Sequence, residues 1–347
     1  MNSHSRPKKF MKMFGFLLII VLSACTPGLA TITDLPTEAE QISEHPAVTD
    51  TQAPTATDSS PTALLLYSAE VDSLALSQTQ TALTALAEQN GLTLVTSDES
   101  TSVVLTPNVR VVVGVGSGLD LNSLSTSNPD IRFVAVDDPD AVPADNLFVI
   151  GDPSVRQQRQ AFMAGYLAAV ISSDYKVGGI FSSEADADIL NAYVIGAEYF
   201  CGTCRPSYPP YNNFPTWDFL SPGASESGFQ PVVDRLVNYG VEILFLQGEL
   251  ISPTLLSYLS DVGILVVSDS PPDMARNNWV GTVRPDRGAA LLDVWDEILS
   301  ESSGVKIPAS ITLVDTEAGW VSEGRLRLFE NMSADLDAGM VSTEYVP

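Results

Sequence analysis

The sequence predicts an α/β fold of two lobes, each a mostly parallel sheet flanked by helices, with a hinged cleft between them. Three observations carry this prediction. Short apolar runs such as ALLLYS (63–68) and EILFLQ (242–247) alternate with helical patterns along most of the chain. Those runs are apolar almost throughout, as strands buried on both faces are, where a half-exposed strand would alternate. Residues 63–347 are also enough for two lobes of ordinary domain size.

Taken in order, strands are predicted at 63–68, 92–96, 109–115, 131–136 and 146–150, with a helix from about Ser77 to Gln89 that Gly91 would cap. A helix at 153–172 carries the polar lead-in RQQRQ into the apolar stretch AFMAGYLAAVIS. Strands at 176–181, 217–220, 242–247, 264–269 and 279–283 then alternate with helices at 185–200, 226–239, 253–260 and 286–300, and a strand at 311–315 closes the pattern. The stretch Ala161–Ile171 spans about 16 Å as a helix, too short for a bilayer core that needs roughly 20 residues. It reads as a core helix. Ala161, Gly165 and Ala169 fall four apart and form a small-residue face against which a sheet or another backbone can approach closely. GVGSG (114–118) lacks the spacing of a dinucleotide fingerprint and has no GK[ST] beside it, so it reads as a tight turn at a strand end.

The N-terminus has a different character. Arg6, Lys8, Lys9 and Lys12 precede the apolar run Phe14–Leu22, and LSAC follows. This is the order of a secretory signal, removed from the mature chain. LSAC resembles the lipobox of bacterial lipoproteins, which makes Cys25 the expected lipidated residue and 1–25 the leader. Residues 26–62 are rich in Thr, Pro, Ala, Ser and acids without helical or strand period, and read as a disordered tether. The folded part is thus expected outside the cytoplasm, held to the membrane through the lipid anchor only.

Composition excludes several function classes. The formal net charge is −26, and removing 1–25 takes four of the 17 basic residues and none of the 43 acidic ones. Such a chain has no basic surface for nucleic acid or anionic lipid. Both histidines, His4 and His45, fall outside the folded region, which removes Ser-His and Cys-His nucleophile arrangements and leaves no zinc set. No catalytic residues, metal or cofactor are expected. Cys201 and Cys204 form CGTC, open to reading as a metal half-site, a redox dithiol or a local disulfide. The motif follows a predicted helix, whereas a redox thiol sits at a helix N-terminus, and an oxidising compartment favours the disulfide.

NPDIRFVAVDDP (128–139), NLFVIG (146–151), AFMAGYLAAVIS (161–172) and YKVGGI (175–180), in that order, resemble the basic membrane protein (Bmp) family. These are bacterial lipoprotein substrate-binding components of ABC transporters, best known for purine nucleosides. YGVEILFLQGE and ILVVSDS add weaker likeness, and the whole extends loosely over about 63–315. The resemblance implies a type I periplasmic-binding-protein fold, a nucleoside-like ligand, ABC permease subunits as partners and no enzymatic activity. The lobes are expected at about 63–172 with 272–306, and 176–268 with 311–347, crossing near 172–176, 268–272 and 304–310.

Laid on the family's ligand-binding pattern, VDSLALSQ matches at Asp72 and Gln78 but puts Leu76 at the base-stacking Phe and Ser77 at the Asn. Phe181 and Ser182 replace a Gly-Gly pair, Gln247–Leu250 replace a Gly-rich loop, and Asp269 falls near the ribose-binding Asp. The candidate ligand-binding residues are therefore Asp72, Ser77, Gln78, Asp137, Phe181, Gln247 and Asp269. Five of them (Asp72, Gln78, Asp137, Gln247, Asp269) are expected at or just after strand C-termini, where α/β sheets bind ligands. Phe214 or Trp217, in the loop SYPPYNNFPTW, offers a flat wall, or else packs around CGTC. Two alternatives to transport remain: a ligand-sensing or interaction lipoprotein of the same fold, and an extracellular thiol oxidoreductase using Cys201 and Cys204.

Overall fold

The computed structural model describes residues 60–344 apart from 70, 99–104, 203 and 301. The leader, Cys25 and the tether to residue 59 lie outside the described residues.

The chain opens with β1 (Thr62–Tyr67), α1 (Ser73–Gln89), β2 (Thr93–Asp98), β3 (Val109–Val115), α2 (Leu121–Ser127), β4 (Arg132–Val136) and β5 (Leu147–Ile150). It leaves this lobe through Gly151 and Asp152 to build α3 (Pro153–Ile171), β6 (Val177–Ser182), α4 (Ala187–Cys201), β7 (Thr216–Leu220), α5 (Glu226–Asn238), β8 (Ile243–Leu246), α6 (Pro253–Asp261), β9 (Leu265–Ser268) and β10 (Trp279–Pro285). Asp286 returns it to the first lobe for α7 (Arg287–Leu299) and β11 (Lys306–Ile307), and a last crossing gives β12 (Ile311–Val314) and α8 (Glu323–Asp337). The first sheet has the order β11-β5-β4-β3-β1-β2 and the second β12-β10-β9-β8-β6-β7. Every pairing is parallel except β10 with β12. This is the two-lobed type I periplasmic-binding fold.

Each sheet is covered on both faces, which explains its continuous apolar runs. In the first lobe Leu83, Leu86, Leu291 and Trp295 from α1 and α7 meet Leu65, Val113 and Phe148, while Leu121 of α2 packs on the other face with Phe133 and Val149. In the second lobe Phe162, Leu167, Tyr193 and Phe329 from α3, α4 and α8 cover Phe181, Phe245 and Val267. Phe229, Val233, Leu256 and Leu259 of α5 and α6 cover the reverse side.

The lobes divide differently from the expectation. Helix α3 belongs to the second lobe and β10 pairs with β9 and β12 there, so the crossings fall at 151–152, 286 and 308–310. The reason is visible in α3, whose apolar half is a buried slab against α4. A Cβ on Gly165 would lie 2.2 Å from the Tyr193 carbonyl oxygen, and one on Gly196 would lie 2.0 Å from that of Phe162. The small-residue face therefore serves helix-on-helix contact within one lobe. No described helix is long and apolar enough to cross a membrane.

Other differences are local. Helix α1 starts at Ser73, four residues earlier than expected, because the Asp72 carboxylate accepts from the Leu74 N–H and caps it. The short elements α2 and β11 fall below what sequence periodicity resolves. Helix α8 was not expected either, since it buries only Phe329, Met332, Ser333 and Leu336 from an otherwise polar run. At GVGSG, Gly116 and Gly118 both take positive φ, as a tight turn after β3 requires.

Replacing Gly165 or Gly196 by Ala forces the α3 and α4 backbones apart. Each substitution should cost at least the 1–3 kcal/mol typical of overpacking, read as a lower urea midpoint with an unchanged slope.

Candidate functional site

Eleven of the described strands run parallel to a sheet neighbour, β12 being the exception, so their C-terminal ends meet across the three crossings. A cleft of about 170 Å³ opens there. Asp72, Arg287 and Leu74 line it from the first lobe; Arg156, Gln157, Gln160, Gln247, Glu249, Asp269 and Arg284 line it from the second.

The floor is an ion network. Arg287, the first residue of α7, is 1% exposed and grips one carboxylate oxygen of Asp137 through Nε at 2.7 Å and Nη2 at 2.5 Å. Arg156 of α3 reaches across from the other lobe to the same oxygen at 3.3 Å, and both guanidinium groups approach the outer carboxylate oxygen of Asp72, at 3.9 and 3.7 Å. Asp137 takes a positive φ of 53° directly after β4, which turns its side chain under α7. Gly151 makes room for it, since a Cβ there would stand 2.5 Å from the Asp137 carboxylate. Gln78 completes the floor by donating to the Pro285 carbonyl at 3.2 Å and accepting from Arg287.

The second-lobe wall is neutral and polar around one carboxyl group. Asp269 follows β9, accepts from the Gly248 N–H at 2.6 Å and lies at the bottom of the wall. Burial pushes its carboxyl up to about 6; the Gly248 N–H opposes that shift and the Glu249 charge adds to it. Gln247 is buried, its side-chain oxygen accepting from the Ser182 N–H at 3.0 Å. Gln160 donates to the Val283 carbonyl at 2.8 Å.

The expected site residues thus separate into groups. Asp72, Gln247 and Asp269 line the cleft. Asp137 and Gln78 lie beneath it, committed to Arg287. Phe181 is corrected to a core residue, fully buried between Tyr193 and Phe245 because β6 turns that side chain toward α4. Ser77 is corrected to an exposed face of α1, one residue off the turn that faces the junction, and Leu76 packs on the first-lobe core. Phe214 stacks edge-on with Tyr175, and Trp217 lines a separate surface groove with Tyr211 and Tyr239, so neither walls the cleft. Cys201, the last residue of α4, is bonded to Cys204, and neither lines the cleft.

Sequence reasoning missed the arginines. Arg156, Gln157 and Gln160 stood in the polar lead-in RQQRQ, whose spacing puts 156 and 160 on one helix face. That polarity at the head of an otherwise buried helix was the available signal.

No family model matches the chain, and no curated protein sequence is similar to it. Solved structures do share its fold. A transcriptional activator of the comK gene from Bacillus halodurans superposes with a TM-score of 0.53 at 13% identity, covering 81% of this chain and 99% of that one. An ABC transporter solute-binding protein from Conexibacter woesei gives 0.53 at 14% identity, covering 82% and 98%. A third, of the same class from Aeropyrum pernix, gives 0.50 at 12%, covering 81% and 93%. At these identities the likeness establishes the fold.

Two outcomes follow from the site. Arg287→Met leaves Asp137 buried with only the longer Arg156 contact, and should cost about 3 kcal/mol in urea unfolding, while the pair Arg287→Met with Asp137→Asn, which removes the buried charge and keeps a residue that accepts the positive φ, should recover part of it. For Asp269, the folded carboxyl holds its proton up to about pH 6 and the unfolded one only to about 3.8. Its burial therefore costs nothing below pH 3.8 and progressively lowers stability as pH rises to 6, by about 3 kcal/mol at most. Asp269→Asn should remove that component, so its melting temperature should fall less than that of the parent between pH 4 and 7.

Proposed function

We propose that this chain is a membrane-tethered, extracytoplasmic solute-binding protein that closes its two lobes on a small polar solute and delivers it to an ABC permease. The observation that carries this reading is the polar cleft at the strand C-termini. Its two walls belong to different lobes, joined by three short crossings and bridged by Arg156. Such a site binds through hinge closure and asks for no covalent step. The LSAC leader with Cys25 and the acidic, Thr/Pro-rich tether supply the anchor in this reading, and the ABC transporter solute-binding proteins among the fold neighbours agree with it.

A nucleoside-like ligand is the class implied by the Bmp resemblance. The cleft lining offers little to a base: Leu74 and Pro285 are its apolar side chains, and none of the lining residues is aromatic. The geometry favours a compact, strongly polar solute. A second reading, a sensing lipoprotein without transport, draws on the comK activator, a fold neighbour at the same TM-score as a solute-binding one.

The test is native mass spectrometry and small-angle scattering on the full chain as made in the cell, before and after stripping bound solute. The expected result is a co-purifying small molecule, a smaller radius of gyration with it than without, and binding weakened at least tenfold by Asp72→Ala. Absence of any bound solute, with a radius that no solute changes, would sink the reading. Cross-linking in membranes separates the two versions: recovery of a permease supports transport, and recovery of another membrane protein in its place supports sensing.

A further inference from the structure

Not every charged group in the cleft has a partner, although the lining also holds the Glu249 and Asp269 carboxyl groups. Arg156 and Arg287 are matched by Asp72 and Asp137, two cations for two anions. Arg284, near the end of β10, is the third guanidinium in the lining, and among the described residues its side chain makes no hydrogen bond or ion pair. Its Nε is shut off from solvent with no acceptor in reach. Arg159, whose Nε is also unsatisfied, at least pairs through Nη2 with Asp337; Arg284 has no such partner. In a chain with 43 acidic residues and 17 basic ones, a half-buried arginine without a carboxylate partner is unusual. Leaving a buried charged donor unsatisfied costs more than leaving a neutral one so.

We infer that Arg284 holds an oxyanion, a carboxylate or phosphoryl group, of the solute that binds in this cleft. The inference rests on the solute-binding reading above and names the ligand class. A guanidinium presents a planar fork of donors that fits two oxygens of one carboxylate or phosphate, which a neutral hydroxyl or base edge does not match. The surroundings agree. Gln157, Gln160, Gln247 and Ser270 give neutral polar lining, and the Asp269 carboxyl is already turned to the Gly248 N–H. On the same lining, Glu249 and Asp72 are acceptors with no donor closer than the long Asp72 contacts to arginine, apart from the cap on α1. They fit hydroxyl or ammonium groups at the other end of the same ligand. The cleft volume of about 170 Å³ lies below the roughly 300–1,000 Å³ of sites for drug-sized ligands, so the solute is compact.

The experiment is calorimetric titration of the full chain, stripped of bound solute, with matched pairs that differ by one oxyanion. Suitable pairs are ribose and ribose 5-phosphate, inosine and inosine 5′-monophosphate, glycerol and glycerate, and ethanolamine and glycine, with succinate, glutamate and inorganic phosphate alongside. The expected result is binding by anionic members, at least tenfold weaker or absent for their neutral partners, and at least tenfold weaker in Arg284→Gln. Arg284→Lys keeps the charge without the fork and should fall between. The carboxylate and phosphate arms show which oxyanion is held. Far-UV circular dichroism checks that each variant is folded, and if Arg284→Gln is not, Arg284→Lys carries the comparison. A neutral member that binds as well as its anionic partner, or any ligand whose affinity Arg284→Gln changes less than threefold, would overturn the oxyanion while leaving the solute-binding reading intact. Failure of every member to bind a folded protein, with no co-purifying solute, would remove both.

Discussion

Arg287 stands at the junction of the two lobes, and the geometry of that junction is arranged around its guanidinium. A fully buried cation is tolerable only with its charge and donors met, since the desolvation cost of an ion this deep is several kcal/mol. Asp137 meets them with one carboxylate oxygen that accepts from both Nε and Nη2, and to do so it adopts a left-handed backbone that few residues other than Gly, Asn and Asp accept. That turn in its place requires a glycine at 151, the first crossing residue. Gln78 then links Arg287 to the Pro285 carbonyl at the second crossing. One ion pair thereby fixes the end of β4, the start of α7 and two of the three crossings. The third is tied in by backbone hydrogen bonds from Gly151 to Ile307 and from Asp286 to Ser310.

The other organising contact is between α3 and α4, and it has a consequence for the cleft. Gly165 and Gly196 let the two backbones touch, so α3 cannot roll or slide on its neighbour without a clash. Its N-terminal turns project beyond that packed half toward the junction. Arg156 and Gln160, one turn apart, are consequently delivered to the cleft by a helix whose position is set some 10 Å away along its axis. A polar head on a rigid apolar shaft is a good way to place a side chain that must reach across a hinge. Asp152, which accepts from Ser154 at the helix start and from Lys306 of the first lobe, helps hold that head at the crossing.

How much of this was legible in the sequence depended on whether a feature was local. Strand runs buried on both faces, such as ILFL of β8, announce themselves through composition alone. The lobe to which α3 belongs did not, because its small-residue stripe fits a sheet or a helix equally well, and only the glycine at 196 on a distant segment decides between them. Helix α8 was hidden by the sparseness of its apolar residues. The site divides in the same way. Asp72, Gln247 and Asp269 could be found because strand C-termini can be read, whereas Asp137 looked identical in sequence and proved to be committed to Arg287, 150 residues further on. Phe181 shows the parity limit of strands: one residue of register separates a cleft wall from the core.

The surface and the cleft carry opposite messages about charge, and the physical scale of each decides how they combine. An acidic exterior repels an anionic solute, but exposed charges act over a Debye length of about 10 Å at 0.1 M salt. The repulsion therefore lowers the encounter rate and does not reach the equilibrium at Arg284, where a half-buried guanidinium meets its partner at contact distance in a medium less polarisable than water. Added salt should relieve the long-range term more than it weakens the contact. An anionic ligand would then associate faster as salt rises, which is the reverse of an electrostatically steered pair, while a neutral solute would associate at a rate indifferent to salt. In this architecture selectivity comes from the lining and the net charge sets only the rate of arrival.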